Sequence, residues 1–186
     1  MKKLSSIKGI PLSYIESILK IDPSTKTGLT WLFRPNAPKQ WNIRYANKVA
    51  GYECANQSGY RKLELKITYD NKTKNFSASR VIFLLHNGYL TKGKCIDHID
   101  NNSLNNDIKN LREVTISQNV QNSKLRKNNT SGHKNVLWCK KRKKWSVQIE
   151  LNCKTHYFGY FDDKEDAIKA SIAARKRLHG KFRRDR

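Results

Sequence analysis

Ile96-Asp97-His98-Ile99-Asp100-Asn101-Asn102 is followed by Leu104-Asn105-Asn106, then by Asn110-Leu111-Arg112-Glu113-Val114-Thr115 and Ser117-Gln118-Asn119. The stretch sets a carboxylate beside an imidazole and adds a series of side-chain amides, in a chain whose formal charge is +23. That is an active-site composition. Neighbouring side chains on an extended strand point to opposite faces, so Asp97 and His98 serve different partners from one short segment. Thr115-Ile116-Ser117-Gln118 reads as a capping box, which starts a helix at about Ile116 and puts Asn119 near the end of its first turn. The predicted order is strand, amide-rich loop, short strand, helix.

Hydrolysis of a phosphodiester needs a base to take a proton from water and a cation to hold the charge that builds on the phosphate and leaving oxygen. An imidazole titrates near neutral pH, so His98 suits the base. Hard cations prefer oxygen ligands, and a carboxylate plus an amide carbonyl form a minimal protein set that water and substrate phosphate complete. Asp97 and Asn119 meet that requirement.

The run from roughly Arg80 to Asn122 resembles the HNH endonuclease motif, a ββα-metal finger, in the variant with aspartate for the first histidine and asparagine for the last. The resemblance implies Asp97 and Asn119 as metal ligands and His98 as general base. It implies Asn110 as the middle asparagine, which fixes the finger and helps orient His98. It further implies one divalent metal per site, magnesium first and manganese second, and products with 5′-phosphate and 3′-hydroxyl ends. Members of this group often carry histidine directly before the arginine of the preceding helix; here Ser79 precedes Arg80, and His86 falls later. His86 and His156 are read as structural. Asn101, Asn102, Asn105 and Asn106 are read as loop-forming amides.

The chain has 186 residues, of which 38 are Lys or Arg and 15 are Asp or Glu. Such an excess opposes folding by self-repulsion and is tolerated where the partner is a polyanion, a membrane surface being the competing one; the nuclease resemblance implies double-stranded DNA. No run of about 18 apolar residues exists to span a bilayer and no signal-peptide pattern opens the chain, so no membrane partner is expected. The four cysteines, Cys54, Cys95, Cys139 and Cys153, form no C-x-x-C pair, which argues against a zinc ribbon or a disulfide framework. A reducing cytoplasm suits them, that of the host if the protein is phage-encoded.

Upstream of the finger, Leu12, Ile15, Ile18 and Leu19 suit a short helix face. Residues 21–28 read as a turn and 29–33 as a strand. Leu63, Leu65 and Ile67 alternate with charged residues, and Asp70-Asn71-Lys72 supplies a hairpin turn. Trp31 and Tyr60 are expected to fill a small core. The loop from Arg34 to Lys48 interleaves Arg34, Lys39, Arg44 and Lys48 with Trp41 and Tyr45, a composition suited to touching DNA. Arg80 to Tyr89 has the apolar density of a buried helix, closing at Asn87-Gly88, and is expected to pack behind the finger. This leader resembles that of many phage-type HNH proteins.

Beyond a polar, basic linker, three strand-like runs over 135–139, 144–151 and 155–161 are separated by turns at 140–143 and 152–154. Asp162 is then expected to cap a helix whose buried side is Ala167, Ile168, Ala170, Ile172, Ala174 and Leu178, ending at Gly180. The Asn-Thr-Ser-Gly start, Trp138, Lys144-Trp145, Phe158-Gly-Tyr-Phe161-Asp and Leu178-His-Gly180 resemble the Apetala or ethylene-response-factor type DNA-binding domain. In that family a three-stranded sheet lies in the major groove. The resemblance points to Lys134, Trp138, Lys140, Arg142, Lys144, Trp145 and Gln148 as the DNA face.

The expected fold class is α+β: a small antiparallel N-terminal unit with the ββα-metal finger, then a three-stranded antiparallel sheet packed on one helix. The boundaries read as an N-terminal β-rich unit over 1–78, the nuclease motif over 79–123, a linker over 124–131 and the Apetala-type domain over 132–186. The expected function is metal-dependent DNA cleavage of the homing-endonuclease type, nicking as a monomer, with a dimer needed to break both strands. The alternative is a non-catalytic DNA-binding transcriptional regulator.

Overall fold

The computed structural model describes residues 2–57, 59–121, 125, 128–151 and 154–179. The expected helix end at Gly180, linker residues 124, 126 and 127, and Asn152 and Cys153 of the last turn lie outside the described residues. The chain divides into two units, Met1–Val114 and Thr115–Arg186.

In the first unit, β1 (Lys3–Leu4), β2 (Ser6–Ile7) and β3 (Ile10–Pro11) lead into α1 (Leu12–Ile18), which buries Ile15 and Ile18. β4 (Leu19–Ile21) and β5 (Leu29–Trp31) pair antiparallel across the predicted turn. After α2 (Lys39–Tyr45) come β6 (Tyr52–Ala55), β7 (Arg61–Tyr69) and β8 (Lys72–Ser77), an antiparallel sheet in that order. Leu63, Leu65 and Ile67 are all buried, as their alternation predicts. Asp70 and Asn71 both take positive φ, 50° and 55°, the backbone that a two-residue hairpin with the right twist requires.

α3 (Ala78–Asn87) lays Ala78, Val81, Ile82 and Leu84 into the same core as β7 and Phe76 of β8. It starts two residues before the expected Arg80 and ends where expected, with Gly88 at φ 74° donating its N–H to Leu84 O at 2.9 Å. β9 (Leu90–Thr91) pairs with β1, and β10 (Cys95–His98) pairs antiparallel with β11 (Leu111–Val114), the latter entered by a 3₁₀ turn at Ile108–Asn110. α3 packs against β10 and the 3₁₀ turn, so the finger's strands rest on the main core. Glu113 reinforces this by accepting from Thr91 N and Thr91 Oγ1, both at 2.6 Å.

Two core expectations divide here. Trp31 packs against the core, whereas Tyr60 is 51% exposed, because it precedes the inward-facing register of β7. Gly51 sits at φ 101°, and a Cβ there would meet Glu64 O at 2.5 Å. Replacing it with alanine therefore adds both backbone strain and a clash with a sheet carbonyl. Gly51→Ala is expected to lower the melting temperature of the first unit by roughly 10 °C, read by circular dichroism.

In the second unit, α4 (Ile116–Gln121) is followed by β12 (Val136–Cys139), β13 (Lys144–Leu151) and β14 (Lys154–Phe161), an antiparallel sheet in that order, and by α5 (Lys164–His179). α5 packs on the sheet over Val136 and Val147. The α+β class and the sheet-on-helix arrangement are as expected. The cap of α5 is not. Asp163, rather than Asp162, accepts from Glu165 N at 2.6 Å and Asp166 N at 3.2 Å, while Asp162 pairs with Lys144 at 3.0 Å. The buried stripe is Ala167, Ile168, Ser171, Ala174 and Arg175, and Ile172 is 39% exposed. Helical spacing set that face and overrode residue type. Among the described residues no helix is long and apolar enough to cross a membrane.

Candidate active site and nucleic-acid face

In the β10–β11 pair Asp97 stands opposite Arg112 and His98 opposite Leu111. The Asp97 side chain is only 9% exposed, and its Oδ2 accepts from Arg112 Nε at 2.9 Å and Nη2 at 2.8 Å. A carboxylate so far from water must be held by cations or strong donors. Strand alternation turns the next side chain, His98, to the other face of the pair. There His98 Nε2 lies 3.1 Å from Asn106 Oδ1. The Asn106 amide donates its Nδ2 to Thr27 O at 3.1 Å, which fixes its other end as the oxygen. An amide oxygen only accepts, so the neutral imidazole carries its hydrogen on Nε2 and keeps the lone pair on Nδ1.

Asn110 closes the loop between the strands. Its Oδ1 accepts from Asp100 N at 3.0 Å, and its Nδ2 donates to Asp100 Oδ1 at 2.9 Å and Asn105 O at 2.8 Å. Burial pushes the Asp100 carboxyl up, but the Asn102 N–H, Asn105, Asn110 and the nearby His98 outweigh it and hold it below the usual carboxylate range. Asn102 Oδ1 takes Leu104 N, and Asn105 Oδ1 takes Asp107 N. These amides serve as turn formers, as expected. Asn106 departs from that reading, since its amide is the partner of the His98 ring. The side-chain bonds of Asn110 go to Asp100 and Asn105. Bonds to His98 and Thr27 mark Asn106 out, and no local pattern in the loop carries them.

The capping box forms as predicted, with Thr115 N donating to Gln118 Oε1 at 2.8 Å and Gln118 N to Thr115 Oγ1 at 3.2 Å. Asn119 N bonds Thr115 O at 3.0 Å, which places Asn119 in the first turn of α4, within the second unit. Asp97, His98 and Asn110 belong to the first. Among the described residues no three His, Cys, Asp or Glu side chains group together as a metal cage. A carboxylate with an amide oxygen is a sparse, all-oxygen donor set, which fits a hard cation that keeps most of its waters.

The seven candidates of the second unit do not share one face. Val136 and Val147, paired across β12 and β13, are buried under α5, and the period of two puts Trp138 and Trp145 on that same side. The two indoles meet edge to face at 5.0 Å, with Lys164 of α5 over Trp145 at 5.6 Å. Lys134 donates to Gln121 O at 3.3 Å and takes Ser171 Oγ on its carbonyl at 2.8 Å. The other side of the sheet carries Lys144 and Gln148, with Leu137, Ser146 and Tyr160 abreast and Tyr157 opposite Gln148. Leu137 and Tyr160 are about equally exposed, and Tyr157 is 72% exposed. Arg142, from the exposed turn that also holds Lys140, lies 4.6 Å over the Tyr160 ring. Counting in twos from Val136 and Val147 finds Leu137 and Ser146 on this open side; Tyr157 and Tyr160 need the observed register.

A strand pair carrying adjacent aspartate and histidine, closed by an asparagine-rich loop and followed by a capped helix, is the arrangement of one nuclease class. Residues 77–121 match the model of the HNH endonuclease family. The chain carries an HNH endonuclease domain over those residues. Among known proteins it is similar to protein 3.8 of Escherichia phage T7, with 40% identity over 100 residues, spanning 54% of this chain and 82% of the relative. No solved structure matches the chain.

Proposed function

We propose that the chain is a metal-dependent DNA endonuclease of the homing type, in which His98 is the general base, Asp97 and Asn119 are the metal ligands and Asn110 secures the loop. The observation that carries the reading is the tethering of His98 Nε2 to Asn106, which leaves Nδ1 as the basic nitrogen on the face opposite Asp97. His98 Nδ1 takes a proton from water as the water oxygen forms a bond to phosphorus. The bond from phosphorus to the 3′ oxygen of the sugar breaks in line, and that oxygen takes a proton from solvent, giving 5′-phosphate and 3′-hydroxyl ends. A divalent cation, magnesium or manganese, held by Asp97 and Asn119 would supply charge neutralisation at the phosphate and leaving oxygen. Asn110 and Asp100 hold the loop so that His98 keeps its place. One such finger acts on one strand, so a monomer nicks and a dimer is needed for a double-strand break.

For the second unit we propose an Apetala-type DNA-binding role. The sheet on one helix and the 19 basic against 6 acidic residues from Lys124 to Arg186 support it. The open side with Lys144, Gln148, Tyr157, Tyr160 and Arg142 supplies the contact, with Lys140 beside it, while Trp138, Trp145 and Lys134 act from beneath to set the sheet.

The test is incubation of purified protein with supercoiled plasmid, with magnesium or with chelator, and separation of supercoiled, nicked and linear forms. Nicked product in magnesium and none in chelator is the expected outcome. Tight binding without cleavage in any divalent metal would replace this reading with that of a DNA-binding regulator.

A further inference from the structure

From Leu32 to Val49 the first unit buries no residue, although Leu29, Thr30 and Ala50 on either side are buried. The excursion is nonetheless ordered. Trp31 N donates to Lys48 O at 3.0 Å and Asn47 N to Trp31 O at 2.8 Å, which pins its two ends together. Within it, Asn42 accepts from Arg34 N at 2.9 Å and donates to Arg34 O at 2.7 Å. A compact loop that is held by polar bonds and adds nothing to the core is a functional element far more often than a structural one.

Its side chains show what it would bind. Trp31, Trp41 and Tyr45 form a chain of rings with centroids 5.7 and 5.3 Å apart. The Arg34 guanidinium lies 4.8 Å over Trp41 and that of Arg44 5.4 Å over Tyr45. Phe33 is 60% exposed and Ile43 68%. From Pro23 to Tyr52 the sequence holds Lys26, Arg34, Lys39, Arg44 and Lys48 and no acidic residue. Single exposed apolar side chains need no explanation, but a run of them interleaved with cations on a helix that buries nothing does.

We propose that α2 and its flanks form a stacking platform for an unpaired stretch of DNA. A duplex presents phosphate charge but hides the faces of its bases in its own stack. An unpaired strand presents both, and this surface carries the complement of both, rings and apolar groups for bases and cations for phosphates. The platform lies on the unit that carries His98 and goes beyond the sheet contact proposed for the second unit. It requires no cleavage to operate, so it stands or falls apart from the nuclease reading.

The experiment is run in chelator with the full chain. Fluorescence anisotropy measures binding of a labelled oligothymidylate and of a duplex of the same length to wild type and to Phe33→Ser/Ile43→Ser/Arg44→Gln, three exposed positions outside the core. The variant should lose about tenfold or more in single-strand affinity and much less in duplex affinity. Unchanged single-strand affinity, or equal loss on both substrates, overturns the proposal. A second arm needs no variant: an oligonucleotide carrying 5-bromodeoxyuridine is photo-crosslinked to wild type and the adducts are mapped by peptide mass. Adducts within residues 33–48 are expected; adducts confined to the second unit overturn it.

Discussion

His98→Ala is expected to lower plasmid cleavage by about 10²–10⁴-fold and to leave DNA binding at the wild-type level, because under the proposed mechanism the variant lacks the group that takes the proton but keeps every cationic side chain. Gel assays of nicking and anisotropy assays of binding read the two halves separately. The geometry adds a finer expectation. Asn106 holds the ring by Nε2 and is held in turn by Thr27 O, so Asn106→Ala frees the imidazole to rotate and to adopt either tautomer. A smaller loss, about tenfold, should follow, concentrated in kcat rather than in binding. If cleavage by a clean preparation of His98→Ala persisted at the wild-type rate, another base would have to be sought. If Asn106→Ala cut as fast as wild type, the tether would be reduced to a packing contact.

The second large effect concerns stability. Arg112→Ala removes two N–H donors from a carboxylate that is 9% exposed, and it is expected to cost about 3 kcal/mol in the first unit. Thermal melting should show it as a drop of roughly 10 °C or more. Replacing both partners, as Asp97→Asn with Arg112→Met, should recover part of the loss, since no buried charge is then left needing a counterion. Metal supplies an independent check on the role of Asp97. A ligand that binds only the folded protein raises its melting temperature. Magnesium should therefore raise that of Arg112→Ala and should not raise that of Asp97→Asn. Equal response in both variants would remove Asp97 from the ligand set.

The parts of this site that were legible are those whose chemistry is contiguous. Asp97 and His98 are adjacent, the alternation of a strand sends them to opposite faces, and the capping box of Thr115 and Gln118 closes within four residues, as observed. The hairpin at Asp70 and Asn71 and the helix end at Gly88 were legible for the same reason, since a positive φ is a local demand that only certain residues meet at low cost. Asn106 was not. Unlike Asn101, Asn102 and Asn105 it is buried, bonded to His98 and held by Thr27, 79 residues away in the chain. The cap at Asp163 in place of Asp162 shows the limit within local reasoning, because two adjacent aspartates are equivalent until the end of β14 decides which one turns back.

The sequence by itself determined the periodicities and the chemistry available: a strand bearing acid and imidazole, an amide-rich turn, a capped helix, a basic sheet on a helix, and an α+β class. These follow from rules that act over a few residues. Only the tertiary structure decided which groups share a face. Arg112 meets Asp97 through strand register, Trp138 and Trp145 face α5 because Val136 and Val147 do, and Ser171 and Arg175 are buried where Ile172 is not. Each of these depends on which side of an element a distant segment covers. Packing settles that by total buried area, and residue type settles it only on average.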